Sequence, residues 1–278
     1  MNVLLHSVSN KLFSVLRYQI IRILQITVAI LLVGRAWQHL FWDAPYEFLF
    51  TKQLGFTDWF VGKWTAVTGW VYLLGVIFCF TLDNRDSRWG YIYVVYSATL
   101  LLLAQLYRAS NDCEVPTLFL YASQIATPLL YYQLQFTKIP IGRIMNTLKI
   151  SLTLTLGGYA WYAFGWYYGQ KDSWHNGLQN VFGTDQNTAS YLLIALGIVE
   201  CLIIVVLWVK PLQKIGFAGI LFWGTLLMLA SVALFFMEHP HWKSGLRSAW
   251  ELLCLIPNAG LSYALWSYVN IKKKEENF

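Results

Sequence analysis

Polar positions along the chain fall in clusters, and between them run eight apolar stretches at 20–41, 64–82, 89–107, 116–136, 148–168, 188–209, 215–237 and 248–270. A helix rising 1.5 Å per residue needs about 20 residues to cross the hydrocarbon of a bilayer, and each stretch has roughly that length. Charge and turn clusters separate them: Asp83-Asn84-Arg85-Asp86, Lys210-Pro211 and Glu238-His239-Pro240-His241. The pattern predicts an all-α polytopic membrane protein with eight transmembrane helices. Lys11, Arg17 and Arg22 precede the first stretch as in a signal peptide. That stretch is too long for a signal core and carries no A-x-A site, so it reads as a retained first span.

Composition agrees. The 278 residues are 57% hydrophobic and 12% charged, against about 25% charged in a soluble domain. So little ionic surface cannot cover a globule in water, so lipid is the implied solvent and a partner. The net charge of +6 does not imply nucleic acid, because the basic residues flank apolar stretches. With the N-terminus inside, thirteen of the twenty Lys and Arg lie on the inner side, six on the outer side, and Arg35 within a helix. Both termini are therefore expected in the cytoplasm. Trp37, Trp42, Trp59, Trp64, Trp161, Trp166, Trp174, Trp242 and Trp250 gather toward the outer side. They read either as an interface belt or as an outer cleft for an apolar ligand or a membrane or periplasmic partner.

The chain also resembles itself. Gly34-Arg35-Ala36-Trp37 is followed, after four intervening residues, by Trp42, and Gly158-Tyr159-Ala160-Trp161 likewise by Trp166, an offset of 124. Gly90-Tyr91 with Thr99-Leu100-Leu101 returns as Gly216-Phe217 with Thr225-Leu226-Leu227, an offset of 126. This predicts a tandem duplication: a four-helix unit at 1–136, a cytoplasmic linker at 137–147, and a second unit at 148–278 with a basic tail. An even number of helices per unit makes the copies parallel repeats about the membrane normal. Glycines at 34, 69, 75, 157, 158, 197, 219 and 224 would let helix backbones approach.

Candidate chemistry is sparse. Arg35, Gln38, His39 and Trp42 share one helical face, and Asp43 follows. Arg35 either snorkels outward and pairs with an acid such as Asp43, or donates with His39 to a ligand head group in a polar pocket. Glu200 is the only acid in the middle of an apolar stretch, within Ala195 to Val209. It would pair with Arg35, bond a neighbouring helix, or serve binding or proton relay, and the first unit has no acid at the matching place near Leu74. His39, His239 and His241 lie toward the outer side, but haem or metal ligation is not expected of such isolated histidines. Cys79, Cys113, Cys201 and Cys254 form no CxxC pair, which disfavours thiol redox chemistry. Phosphate-loop, dinucleotide, HExxH and GxSxG motifs are absent, so independent catalysis is not expected.

Leu16-Arg17 opening the first helix, Leu196-Gly197-Ile198-Val199-Glu200, and a third helix opening on Gly after a basic turn and running into Thr-Leu-Leu resemble the DoxX/DoxD-like superfamily of four-helix membrane proteins. The second unit fits better, since the first lacks the glutamate. The resemblance implies an accessory or quinone-associated subunit of a membrane redox or envelope complex, as in a quinone-reducing thiosulfate dehydrogenase. Arg35, Gln38, His39, Trp42, Asp43 and Glu200 would then line a ligand pocket, with quinone the implied cofactor. The duplicated architecture is also compatible with a small-molecule transporter, and the outer aromatics with a structural or assembly role.

Overall fold

The computed structural model describes residues 2–41, 44, 46–82, 87–110, 115–166, 172–238 and 242–276. They form ten α-helices: α1 (Asn2–Phe41), α2 (Asp58–Thr81), α3 (Ser87–Ser110), α4 (Val115–Leu120), α5 (Ala122–Phe136), α6 (Ile141–Phe164), α7 (Asp172–Phe182), α8 (Gln186–Trp208), α9 (Gln213–Glu238) and α10 (Trp242–Glu276). Among the described residues there is no strand. Six helical segments are long and apolar enough to cross a membrane: Arg17–Phe41, Asp58–Thr81, Arg88–Ser110, Gln186–Trp208, Lys210–Ala230 and Trp250–Asn270. The fourth and fifth apolar stretches are helical but fall outside this group. The fourth is divided at Tyr121 into α4 and α5, and α6 carries Arg143, Asn146 and Lys149 in its first half. The apolar pattern did not anticipate α7, which caps the neighbouring α8 as an amphipathic helix.

Why α6 tolerates polar residues follows from its position. Its buried residues include Lys149, Ser151, Leu152, Thr155, Leu156, Gly158 and Tyr162, which point in several directions around the helix. A helix walled in by protein needs no continuous lipid-compatible surface. By contrast α2 buries one narrow stripe, Val61, Thr65, Gly69, Tyr72, Gly75 and Cys79. α8 buries Ala189, Leu193, Gly197, Glu200 and Leu207. Their remaining faces present apolar side chains outward, such as Trp70 and Leu74 on α2 and Ile198 and Leu202 on α8. Each of the five buried residues of α8 lies 128 positions after a buried residue of α2.

The helices do not sort into two self-contained bundles. α1 packs most extensively against α10, at the far end of the chain, and then against α2. α6 packs against α8 and against α4 and α5. Glycines set these close approaches. A Cβ at Gly34 would meet Leu253 Cβ at 2.7 Å and the Trp250 carbonyl at 3.1 Å, both on α10. A Cβ at Gly158 would meet Phe119 Cβ and the Leu120 nitrogen at 3.0 Å and the Pro116 carbonyl at 3.1 Å, on α4. The neighbours of Gly34 and of Gly158 are themselves separated by a constant 134 residues. Similarly, Gly69 abuts His39 and Leu40, and Gly197 abuts Ala163 and Phe164, 124 residues later.

At one end, Arg17 ties the start of the apolar part of α1 to the end of α5, its Nη2 donating to the carbonyls of Leu134 at 2.6 Å and Thr137 at 2.9 Å. Residues 137–140 then lead directly into α6. The starts of both helices therefore share this linker end.

Candidate functional site

Toward the other end of α1, Arg35, Gln38 and His39 are brought together inside the protein, at 1%, 0% and 3% exposure. Their i, i+3, i+4 spacing sets them on one face, where α2, α5 and α10 pack against α1 and Tyr107 reaches in from α3. Arg35 Nη1 donates to Gln38 Oε1 at 2.8 Å and Nη2 to Gln124 Oε1 at 2.5 Å. Gln38 Nε2 in turn donates to the Tyr107 hydroxyl. The guanidinium carbon lies 4.8 Å from the Tyr121 ring centre and 5.9 Å from those of Tyr107 and Trp250.

Arg35 therefore does not snorkel. It turns into a cage of aromatic faces and amide oxygens, and Glu251 neighbours the Tyr121 and Cys254 side of that cage electrostatically. An arginine at the middle of a membrane helix costs about 2.5–3.5 kcal/mol on insertion scales. A hydrogen bond to a charged group contributes about 1.5–3 kcal/mol, so the two glutamine oxygens are enough to offset that cost without a counter-ion. Cation–π attraction adds to them.

Three nitrogens of the cage remain without a hydrogen-bond partner among the described residues, Arg35 Nε, His39 Nε2 and Trp250 Nε1. His39 Nδ1 lies 2.7 Å from the Arg35 carbonyl oxygen. A carbonyl only accepts, so Nδ1 carries the proton, and in the neutral ring Nε2 is left as an acceptor. His39 is thus not the second donor that the sequence suggests. The site pairs a donor, Arg35, with an acceptor, His39, whose ring lies 5.4 Å from that of Tyr72 and 5.8 Å from that of Tyr46. Trp42, Asp43, His239 and His241 lie outside the described residues.

Glu200 is not part of this cluster. It is 2% exposed, on the stripe of α8 that faces α6, and neighbours Tyr159 electrostatically. Its Oε2 has no hydrogen-bond partner among the described residues. Tyr159 is hydrogen-bonded to the Asn258 side chain. Asn258 Oδ1 accepts from Ser123 Oγ at 2.6 Å, and the Ser123 nitrogen donates to Thr155 Oγ1 at 3.0 Å. A polar seam thus joins α5, α6 and α10 beside the Arg35 cage.

The two polar centres occupy corresponding registers. Arg35, Tyr72 and Gln124 stand in α1, α2 and α5. Tyr159, Glu200 and Asn258 follow at offsets of 124, 128 and 134 in α6, α8 and α10. Tyr72, at 2% exposure, stands at the register matching Glu200, two residues from Leu74, and is not an acid. Sequence reading passed over Gln124, Tyr107, Tyr121 and Asn258. Ser123-Gln124 and Asn258 are polar interruptions of apolar stretches, and that signal was available.

The chain matches no family model, no curated protein and no solved structure.

Proposed function

We propose that the chain is a multi-pass subunit of a bacterial inner membrane redox or envelope complex, in which the Arg35 cage receives the head group of a quinone or quinol. The single observation that carries this reading is a fully buried guanidinium with a spare Nε donor. Glutamine oxygens, aromatic rings and a histidine acceptor stand beside it. A quinone offers carbonyl oxygens to Arg35 and a flat ring to Tyr121 and Trp250, and a quinol hydroxyl can donate to His39 Nε2. The resemblance to DoxX-like proteins points the same way.

In this reading all eight apolar stretches cross the bilayer, α4 and α5 together making the fourth, and the two halves descend from one duplicated four-helix unit. Support comes from the matched stripes of α2 and α8, from the matched glycine contacts, and from the basic residues at the linker end, whose bias favours a cytoplasmic side for that end and both termini.

The test is retention of quinone. The full chain purified in mild detergent should keep native quinone through extraction and should bind a short-chain quinone analogue. Arg35→Gln and His39→Phe should each weaken that binding in folded protein, with Arg35→Gln also lowering thermal stability because it strands a glutamine oxygen. Wild-type protein that neither retains nor binds quinone would refute the reading.

A further inference from the structure

Two recesses open at the linker end, away from the Arg35 cage. The first, about 430 Å³, is lined by Asn146, Lys149, Lys210, Gln213, Lys214 and Tyr268 among others. The second, about 360 Å³, is lined by Arg17, Tyr18, Arg22, Gln25, Tyr131 and Gln135 among others. They are built at the same register. Tyr18, Ile21, Arg22 and Gln25 of α1 line one, and Gly142, Met145, Asn146 and Lys149 of α6, each 124 residues on, line the other. Tyr131 and Gln135 of α5 correspond to Leu265 and Val269 of α10 at 134.

Among the described side chains each recess gathers cations, and those of Glu275 and Glu276, beyond Val269 on α10, lie outside them. No described lining residue is acidic, and Asp83 and Asp86, next along the chain from Leu82, lie outside the described residues. Lys149 is 7% exposed, and its Nζ sits 4.5 Å from the Trp208 ring centre and 6.0 Å from that of Phe217. Arg22 donates to the Tyr18 hydroxyl at 2.9 Å and to Gln25 Oε1 at 2.8 Å, and Arg17 to backbone carbonyls. All of these partners are neutral. Cations gathered in a concave, partly desolvated wall, with amide and phenol groups beside them, match an oxyanion that accepts several hydrogen bonds.

We infer that the two recesses are paired receptors for a phosphate group, one in each half of the chain. Their position at the basic end of the bundle suits the phosphodiester of an acidic phospholipid, and free phosphate presents the same oxyanion. The inference does not depend on the quinone reading, because it uses none of the same residues.

The full chain in a neutral detergent would be titrated with phosphatidylglycerol, phosphatidylcholine or inorganic phosphate and followed by native mass spectrometry. Two retained phosphatidylglycerol molecules are expected, with phosphatidylcholine held far more weakly. Lys210→Gln with Lys214→Gln changes only exposed residues, and should weaken one of the two by about thirtyfold, at roughly fivefold per cation. Adding Arg22→Gln, also exposed, should weaken the second. Two phosphate adducts without lipid retention would uphold the receptors and make their source soluble. Equal retention of both lipids without phosphate adducts, or a stoichiometry untouched by the substitutions, would overturn the inference.

Discussion

Gly34 and Gly157 are both helical glycines within apolar stretches, yet their surroundings differ. A methyl group at Gly34 would meet Leu253 Cβ at 2.7 Å, Cys254 Sγ at 3.1 Å and the Trp250 carbonyl at 3.1 Å. None of these is the free end of a flexible side chain, so α1 and α10 would have to separate. Overpacking of this kind costs about 1–3 kcal/mol. Replacing Gly by Ala in a helix returns up to about 1 kcal/mol of backbone propensity. The expected net effect of Gly34→Ala is thus a loss of up to about 2 kcal/mol. A methyl at Gly157 meets nothing within 4 Å, so Gly157→Ala should keep the propensity gain and be neutral or slightly stabilising. Both variants would be compared by reversible unfolding in mixed micelles, or by thermal denaturation in one detergent. A Gly34→Ala protein more stable than wild type, or a Gly157→Ala protein that is the weaker of the two, would refute the assignment of the α1–α10 contact.

Arg35→Met strands the oxygens of Gln38 and Gln124, at about 1–3 kcal/mol for each buried unsatisfied group. A double-mutant cycle with Gln124→Met should return a coupling energy of about 0.5–3 kcal/mol, and a value near zero would mean the two side chains do not meet. Glu200→Gln and Glu200→Leu should leave thermal stability nearly unchanged, because no described partner is lost, whereas Glu200→Lys introduces an unmatched cation and should destabilise. A large loss in Glu200→Gln, read in the same melts, would reveal a carboxylate partner. Asp185 caps the start of α8, its carboxylate accepting from the Thr188 nitrogen at 3.3 Å, and hydrogen bonding to Thr188 holds its pKa below the usual 3.8. Its contribution is complete above that value and is lost as pH falls through the lower folded-state pKa. The stability gap between wild type and Asp185→Ala should therefore narrow below pH 3.8, and a gap that widens in acid would reject the cap.

Much of the fold was legible. All eight apolar stretches are helical, because continuous apolar sequence between charge clusters leaves the backbone no alternative in lipid. Six of them meet the length and composition of a span. The fourth and fifth carry more polar residues because α5 and α6 are enclosed by other helices, and enclosure is a tertiary property that periodicity does not encode. For the same reason the exchange of helices between halves, α1 onto α10 and α4 onto α6, could not be read from motifs that repeat only within the first and third helices. The candidate site was legible in part. The face shared by Arg35, Gln38 and His39 followed from spacing alone. Glu200 was separated from it because offsets along the chain say nothing of which helix a stripe will meet. Gln124 and Tyr121 reach Arg35 only because α5 starts beside the α1–α10 contact.

The most direct test is the sidedness of residue 138, in the linker between α5 and α6. In a background with the four native cysteines replaced, Lys138→Cys would be probed with a membrane-impermeant maleimide in right-side-out and inverted vesicles, alongside Leu54→Cys and Thr184→Cys in the loops before α2 and α8. Eight crossings predict that position 138 reacts only in inverted vesicles and that 54 and 184 react only in right-side-out ones. Labelling of 138 from the same side as 54 and 184 would mean that the fourth and fifth helices do not cross, and would contradict the account of two parallel four-helix halves.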